Sequence, residues 1–433
     1  MPGSHENSLD HTPRESLREG FYFSLMVGAG ETYVPAYVLA LGLSAELSGL
    51  ITTLPVGVGA ILQILSFRGV RFFNSRKRWV MFCASIQAIS LLLMAGLPAL
   101  GLRSPEFLFA CAGLYWTFGF SAGPAWNAWL TSVVPKNEYF HFFAQRGHYT
   151  RLGVMLGIVT SGVALYFFHS IWIFTILLSA AAFFRFLSVY SLGCHFEPPA
   201  DGSVRKTRSL RFILLWLTRA KTTGVITYVF LSSFTIFIAA PFFTPYMLNG
   251  LKLGYLEYMG LLVTTFISQI VTYAYLNRFS GQMKIKNMQL IGAIGLIPIP
   301  FFWTLSTSYT YLISMQVLGG FFWAHYEFGL SLYLIHKHSV RGRSAILTVN
   351  NFFSAGGMIL GSLLGAGFLG NFQSELGAYI HVFQLSTVMR VIPLLPLFFI
   401  LSDEIPRVRL AMRWLGVRPG RGSIVRPIIW PKK

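Results

Sequence analysis

Apolar residues run in long unbroken blocks along this chain, and polar residues gather in the gaps. Twelve such blocks occupy 21–41, 47–67, 79–101, 106–134, 148–169, 170–193, 224–248, 256–277, 287–306, 309–335, 345–370 and 378–401. A helix needs about 20 apolar residues to cross the roughly 30 Å hydrocarbon core of a bilayer. The pattern predicts an all-α polytopic membrane protein with twelve transmembrane helices, numbered spans 1 to 12 in chain order. Polar sequence remains at 1–20, in the gap 194–223, and at 402–433.

Composition supports this reading. Charged residues make up 11% of the chain, against about 25% in soluble domains. Apolar residues reach 54% and mean hydropathy is +0.59, which excludes a disordered chain. Three cysteines in 433 residues exclude a disulfide scaffold; free thiols are expected.

The net charge of +19 raises the question of nucleic acid. The basic residues sit in the gaps between spans, however, and not on one folded face. With the N-terminus in the cytoplasm, thirty Lys and Arg fall on the cytoplasmic side. Only Arg103 and Lys252 fall on the other, and Arg185 and Arg390 lie within spans 6 and 12. The positive-inside rule then predicts two cytoplasmic termini in a cytoplasmic (inner or plasma) membrane, with anionic lipid as counter-charge and no nucleic acid. The polar N-tail and the full-length first block speak against a cleavable signal peptide.

The gap at 194–223 carries Pro198, Pro199 and six basic residues, and it separates six spans from six. The expected organisation is an N-tail (1–20), a first bundle (21–193), a basic linker (194–223), a second bundle (224–401) and a basic C-tail (402–433). The bundles echo each other. Gly153-Val-Met-Leu-Gly157 recurs as Gly357-Met-Ile-Leu-Gly361, Pro35-Ala-Tyr37 as Pro245-Tyr246, and Glu46-Leu-Ser-Gly49-Leu50 as Glu257-Tyr-Met-Gly260-Leu261. Arg185 and Arg390 are a fourth pair at nearly the same offset.

With this repeat, the span count, the inside termini and the basic central loop, the chain resembles the major facilitator superfamily over about 21–401. The family's loop after spans 2 and 8 is present in altered form. The run Arg68 to Arg78, with Arg71 and Arg76, keeps the basic residues but has Phe72 near the family's Asp; Asn277-Arg278-Phe-Ser-Gly281 has Asn in its place. The resemblance implies a secondary transporter of a small organic solute, working by alternating access. It implies that spans 1, 4, 7 and 10 contact the solute, that the loop residues Arg71, Arg76, Asn277 and Arg278 act in gating, and that the chain is a monomer. Uncoupled uniport and a non-transporting sensor or scaffold are the other readings.

Ionisable groups inside spans are the candidates for chemistry, because a charge there costs about 2.5–3.5 kcal/mol. No Asp lies in a span, and Glu31 and Glu327 are the carboxylates well inside. Glu31 lies in Gly28-Ala-Gly-Glu-Thr-Tyr-Val-Pro35, where two glycines and a proline can break the helix and free backbone groups. It reads either as a carboxylate coupling proton flow to transport or as a brace of span 1. His325 and Glu327 are two residues apart, so they point about 200° apart on a helix and divide any proton-coupling role.

Tyr33, Tyr115, Trp116, Trp126, Asn127, Tyr326 and Asn350 are candidates for substrate contact, since aromatic platforms and amides suit organic rings. Packing, an interfacial belt or interhelical hydrogen bonding are the alternatives. Arg185 and Arg390 read as snorkelling lipid-phosphate partners, or as a repeat-related pair of switches or anion ligands. Gly357, Gly361 and Gly365 form a small-residue stripe suited to close helix contact. No Walker loop, His-Glu-x-x-His run or Cys pair appears. Neither enzymatic activity, a cofactor nor a metal is expected.

Overall fold

The computed structural model describes residues 3–63, 65–134, 139–198, 220–279, 284–336, 340–370 and 375–400. Most of the linker and the C-tail lie outside these. Among the described residues every regular element is helical. Nine helical stretches there are long and apolar enough to cross a membrane, and they cover spans 2, 3, 5 to 9, 11 and 12. Spans 1, 4 and 10 are helices of 27, 29 and 28 residues (Gly3–Ala29, Pro105–Val133, Tyr309–His336). Large apolar side chains such as Ile176, Phe183, Val271, Val388 and Phe399 stand exposed. A bilayer accepts such a surface and water does not.

Contacts divide the chain into two units, Met1–Leu47 with Leu54–Thr207, and Ser48–Thr53 with Arg208–Lys433. Each is built on the same plan. In the first, span 1 runs as a helix to Ala29, tightens into a 3-10 turn at Glu31–Tyr33, and resumes as Val34–Ala40. In the second, span 7 runs from Ala220 to Phe237, turns 3-10 at Ala240–Phe242, and continues through Phe243–Pro245 into a π-helical turn at Tyr246–Gly250. Proline causes both breaks, since Pro35 and Pro241 have no N–H to give the preceding turn.

Span 1 packs on span 5 (Tyr139–Phe167) through small residues. A Cβ at Gly157 would lie 2.7 Å from the Ala29 nitrogen and 2.8 Å from the Leu25 oxygen. Span 7 packs on span 11 (Val340–Gly370) in the same register. Cβ atoms at Gly357, Gly361 and Gly365 would overlap the carbonyl oxygens of Phe230, Phe234 and Ile238. The repeat extends to single hydrogen bonds. Tyr37 donates to the Met94 carbonyl (2.8 Å), and Tyr246 to that of Trp303 (3.1 Å).

One expectation changes. The helix of span 1 begins inside the polar tail, at Gly3, and Ser16 and Glu19 on it are buried. The tail's last turns therefore belong to the packed bundle, because Glu19 has buried partners. The three cysteines are free thiols.

Candidate functional site

Glu31 occupies the first position of the 3-10 turn in span 1 and is buried. The Tyr115 hydroxyl of span 4 donates to its Oε2 at 2.7 Å and lies 3.0 Å from the Met26 sulfur. Thr32 returns its hydroxyl to the Val27 carbonyl (2.9 Å), one of the groups the break leaves without a helical donor. Tyr33 donates to the Ile158 carbonyl of span 5 (2.8 Å). Trp116 meets Tyr115 edge-on at 5.4 Å. Glu31, Tyr33, Tyr115 and Trp116 are thus held around the break by their own unit.

The other aromatic residues of span 4 stand elsewhere. Trp126 lies under the Arg146 guanidinium (4.4 Å), and Asn127 beside it is half-buried. Trp129 donates to the Phe196 carbonyl (2.9 Å) and packs on His195.

In the second unit Glu327 of span 10 accepts from Tyr273 of span 8 (Tyr255–Phe279) at 2.6 Å. His325 is buried, with Nδ1 2.9 Å from the Phe321 carbonyl in its own helix. Tyr326 packs against Trp323 and Tyr228, and Tyr228 accepts from Gln289 of span 9 (2.6 Å). Adjacent residues of span 10 therefore serve different neighbours, as helical geometry requires. Asn350 is half-buried on span 11.

The loop motif divides similarly. Arg71 is exposed on the helix Leu65–Phe73, while Arg76 opens span 3 (Arg76–Ala95). The backbone N–H groups of Arg76 and Lys77 donate to Glu197 Oε1 (2.7 and 3.1 Å), and Ser75 donates to Oε2 (2.5 Å). Glu197 follows span 6 (Ile171–Cys194), so a distant carboxylate caps the positive N-terminus of span 3. Nothing in the local sequence pairs it with the loop. Asn277 and Arg278 lie on the last turn of span 8, and their side chains fall outside the described residues.

Arg185 and Arg390 do not snorkel to lipid. Arg185 is buried, donates to Gln87 Oε1 (3.1 and 2.6 Å) and to Ser188 (2.8 Å), and stands 4.0 Å from Glu19. Glu19 also accepts from Arg146 of span 5 (2.5 Å). Arg390 is buried too, with Ser386 and the carbonyls of Leu296 and Ile236 as partners (3.2, 2.6 and 3.3 Å). These carbonyls stand where the span 9 helix (Ile285–Gly295) ends and span 7 breaks. The negative ends of two helices thus balance the Arg390 charge.

His195, beyond the end of span 6, is buried among Trp129, Glu19 and Arg146. Burial holds its imidazole below the ordinary histidine range, against an opposing pull from Glu19. The folded state therefore binds this proton less readily than the unfolded state. Its contribution to stability is present above about pH 6.5 and is lost as pH falls below that value. Thermal unfolding between pH 7.5 and 5 is expected to show this loss, and His195→Gln to flatten it.

No protein-family model matches the chain, and no curated protein matches it. Solved structures do. A mutant form of the nucleoside transporter NupG aligns with a TM-score of 0.73 at 14% identity, over 90% of this chain and 100% of that one. NupG itself gives 0.70 at 13%, over 91% and 100%. A bacterial homologue of the human lysosomal transporter Spinster, inward-facing and unoccupied, gives 0.61 at 13%, over 92% and 97%. This likeness is one of fold.

Proposed function

We propose that this chain, a multi-pass membrane protein with the major-facilitator fold, is a secondary transporter of a small organic solute, working by alternating access and driven by protons through Glu31. The observation that carries the reading is a buried carboxylate at the break of span 1, held by the Tyr115 phenol. An ionisable side chain inside a span is a functional candidate by default, and the break places this one beside backbone groups freed from the helix. Span 7 has the same break with Ala240 in the corresponding place, so the titratable group is particular to the first unit.

Nucleosides head the substrate panel because NupG shares the fold. Residues Tyr33, Tyr115, Trp116, Trp126, Asn127, Tyr326 and Asn350 remain candidates for contact with the solute, and Glu327 and His325 for a second proton role. The excess of Lys and Arg in alternate gaps supports cytoplasmic termini in an inner or plasma membrane. We take the transporter to be a monomer among lipids.

Proteoliposomes containing this chain alone test the reading, with labelled uridine first and then sugars, amino acids and amphipathic cations. An inward proton gradient is expected to drive accumulation of one class. Glu31→Gln is expected to cut that accumulation at least about tenfold, equivalent to about 1.4 kcal/mol of lost driving force, and to leave counterflow exchange intact. Saturable flux indifferent to the gradient in both proteins would establish uniport, with Glu31 as a brace between spans 1 and 4. Absence of flux for every class would favour a sensor or scaffold.

A further inference from the structure

A continuous series of polar contacts runs through the first unit and begins at Glu31. Tyr115 donates to Glu31 through its hydroxyl, and its carbonyl accepts from Gln87 Nε2 (3.1 Å). The other end of the Gln87 amide accepts from Arg185, at 2.6 Å from Nη2 and 3.1 Å from Nε. Arg185 Nη1 donates to Ser188 (2.8 Å), and Ser188 donates to Glu19 (3.3 Å). Glu19 closes the series on Arg146 of span 5. Five helices, spans 1, 3, 4, 5 and 6, each contribute at least one group.

Two features show that the series is built into the packing. A Cβ at residue 119 would overlap the Gln87 amide, so Gly119 leaves the room that the amide fills. Arg390, the counterpart of Arg185 in the second unit, meets helix-end carbonyls and Ser386, and among the described residues no carboxylate or amide side chain hydrogen-bonds it. The linked arrangement therefore belongs to the unit that carries the buried span 1 carboxylate.

We infer that Gln87 and Arg185 are positioning residues that couple protonation of Glu31 to the Glu19–Arg146 ion pair. The inference rests on the reading of Glu31 as the proton site. Gln87 has its donor on span 4 and its acceptor on Arg185, so it fixes the turn of span 4 that aims the Tyr115 hydroxyl. When Glu31 takes a proton, it becomes a poorer acceptor for that phenol. The strain passes to Gln87 and Arg185 and on to Glu19. Away from water the linked hydrogen bonds from Gln87 through Arg185 and Ser188 to Glu19 polarise one another, the step through Tyr115 is carried by its position on span 4, and coupling between two sites is reciprocal.

The titratable and charged groups around the series include Tyr115 from span 4, Cys83 from span 3, Arg146 from span 5, Arg185 from span 6, Glu15 and Glu19 from span 1, and His195 beyond span 6. Of these, Tyr115 touches Glu31 directly.

Infrared difference spectroscopy of the purified full chain, titrated with acid, tests the inference without knowledge of the substrate. The carboxylic-acid carbonyl band that Glu31→Gln removes reports Glu31. In Gln87→Met the Tyr115 hydroxyl is held less well, so the carboxylate loses stabilisation. The midpoint of that band is expected to move to higher pH by about half a unit or more, a roughly threefold change in the protonation equilibrium. Ser188→Ala, a milder change at the far end, is expected to move it by a smaller amount. An unchanged midpoint in both folded variants overturns the coupling and leaves Glu31 as a proton site. Absence of any band that Glu31→Gln removes overturns the proton reading itself, and the coupling with it.

Discussion

Replacing Glu19 with Ala is expected to cost about 3–5 kcal/mol, the usual penalty for breaking a buried ion pair from one side. The reason is what the substitution leaves behind. Arg146 and Arg185 both lean on this carboxylate, at 2.5 and 4.0 Å, and their side chains are 15% and 5% exposed. Without it two guanidinium groups remain largely inside the bundle and lose this counter-charge. The companion experiment separates charge from packing. Glu19→Gln combined with Arg146→Gln removes one charge of each sign and keeps side chains of similar size, so it is expected to recover most of the stability. Thermal unfolding of the single and double variants in detergent checks both statements. A single variant as stable as the native chain would mean that water or lipid reaches these arginines.

Replacing Gly361 with Val is expected to cost about 3 kcal/mol or more, at the upper end of overpacking penalties. A Cβ there falls on the Phe234 carbonyl, which is backbone and cannot rotate aside. Span 11 would have to separate from span 7 along the stripe that includes Gly357 and Gly365, and the contacts between the two helices would be lost together. Gly157→Val should do the same between spans 5 and 1, where the obstructing atoms are again backbone. The position of Gly367, on the same helix with nothing near its missing side chain, supplies the control: Gly367→Ala should unfold at or slightly above the native temperature, since Ala is the better helix former. Expression level and unfolding temperature in detergent read out all three.

Several of these features are legible in the sequence because they are local. Block length sets the helices, since crossing hydrocarbon needs a fixed number of apolar residues. The stripe Gly357, Gly361 and Gly365 announces close packing because residues four apart share a helix face. Gly28, Gly30 and Pro35 announce the break in span 1, and the structure puts a 3-10 turn at Glu31–Tyr33. The opposed directions of His325 and Glu327 follow from their spacing alone.

Other features were decided only by the tertiary structure. Glu19 looks like one more polar residue of a solvated tail until Arg146, 127 residues away, closes on it. Glu197 caps the start of span 3 from beyond the end of span 6, and Tyr115 turns its phenol to Glu31 while Trp126 and Trp129 on the same helix serve Arg146 and His195. Arg185 and Arg390, matched by the repeat, take different partners, because one faces side chains of continuous helices and the other faces carbonyls released at two helix ends. Periodicity and composition encode which face of a helix is apolar. They do not encode which polar group on a distant helix will lie opposite, and inside a membrane that choice determines whether a charge is stabilised, stranded or free to exchange a proton.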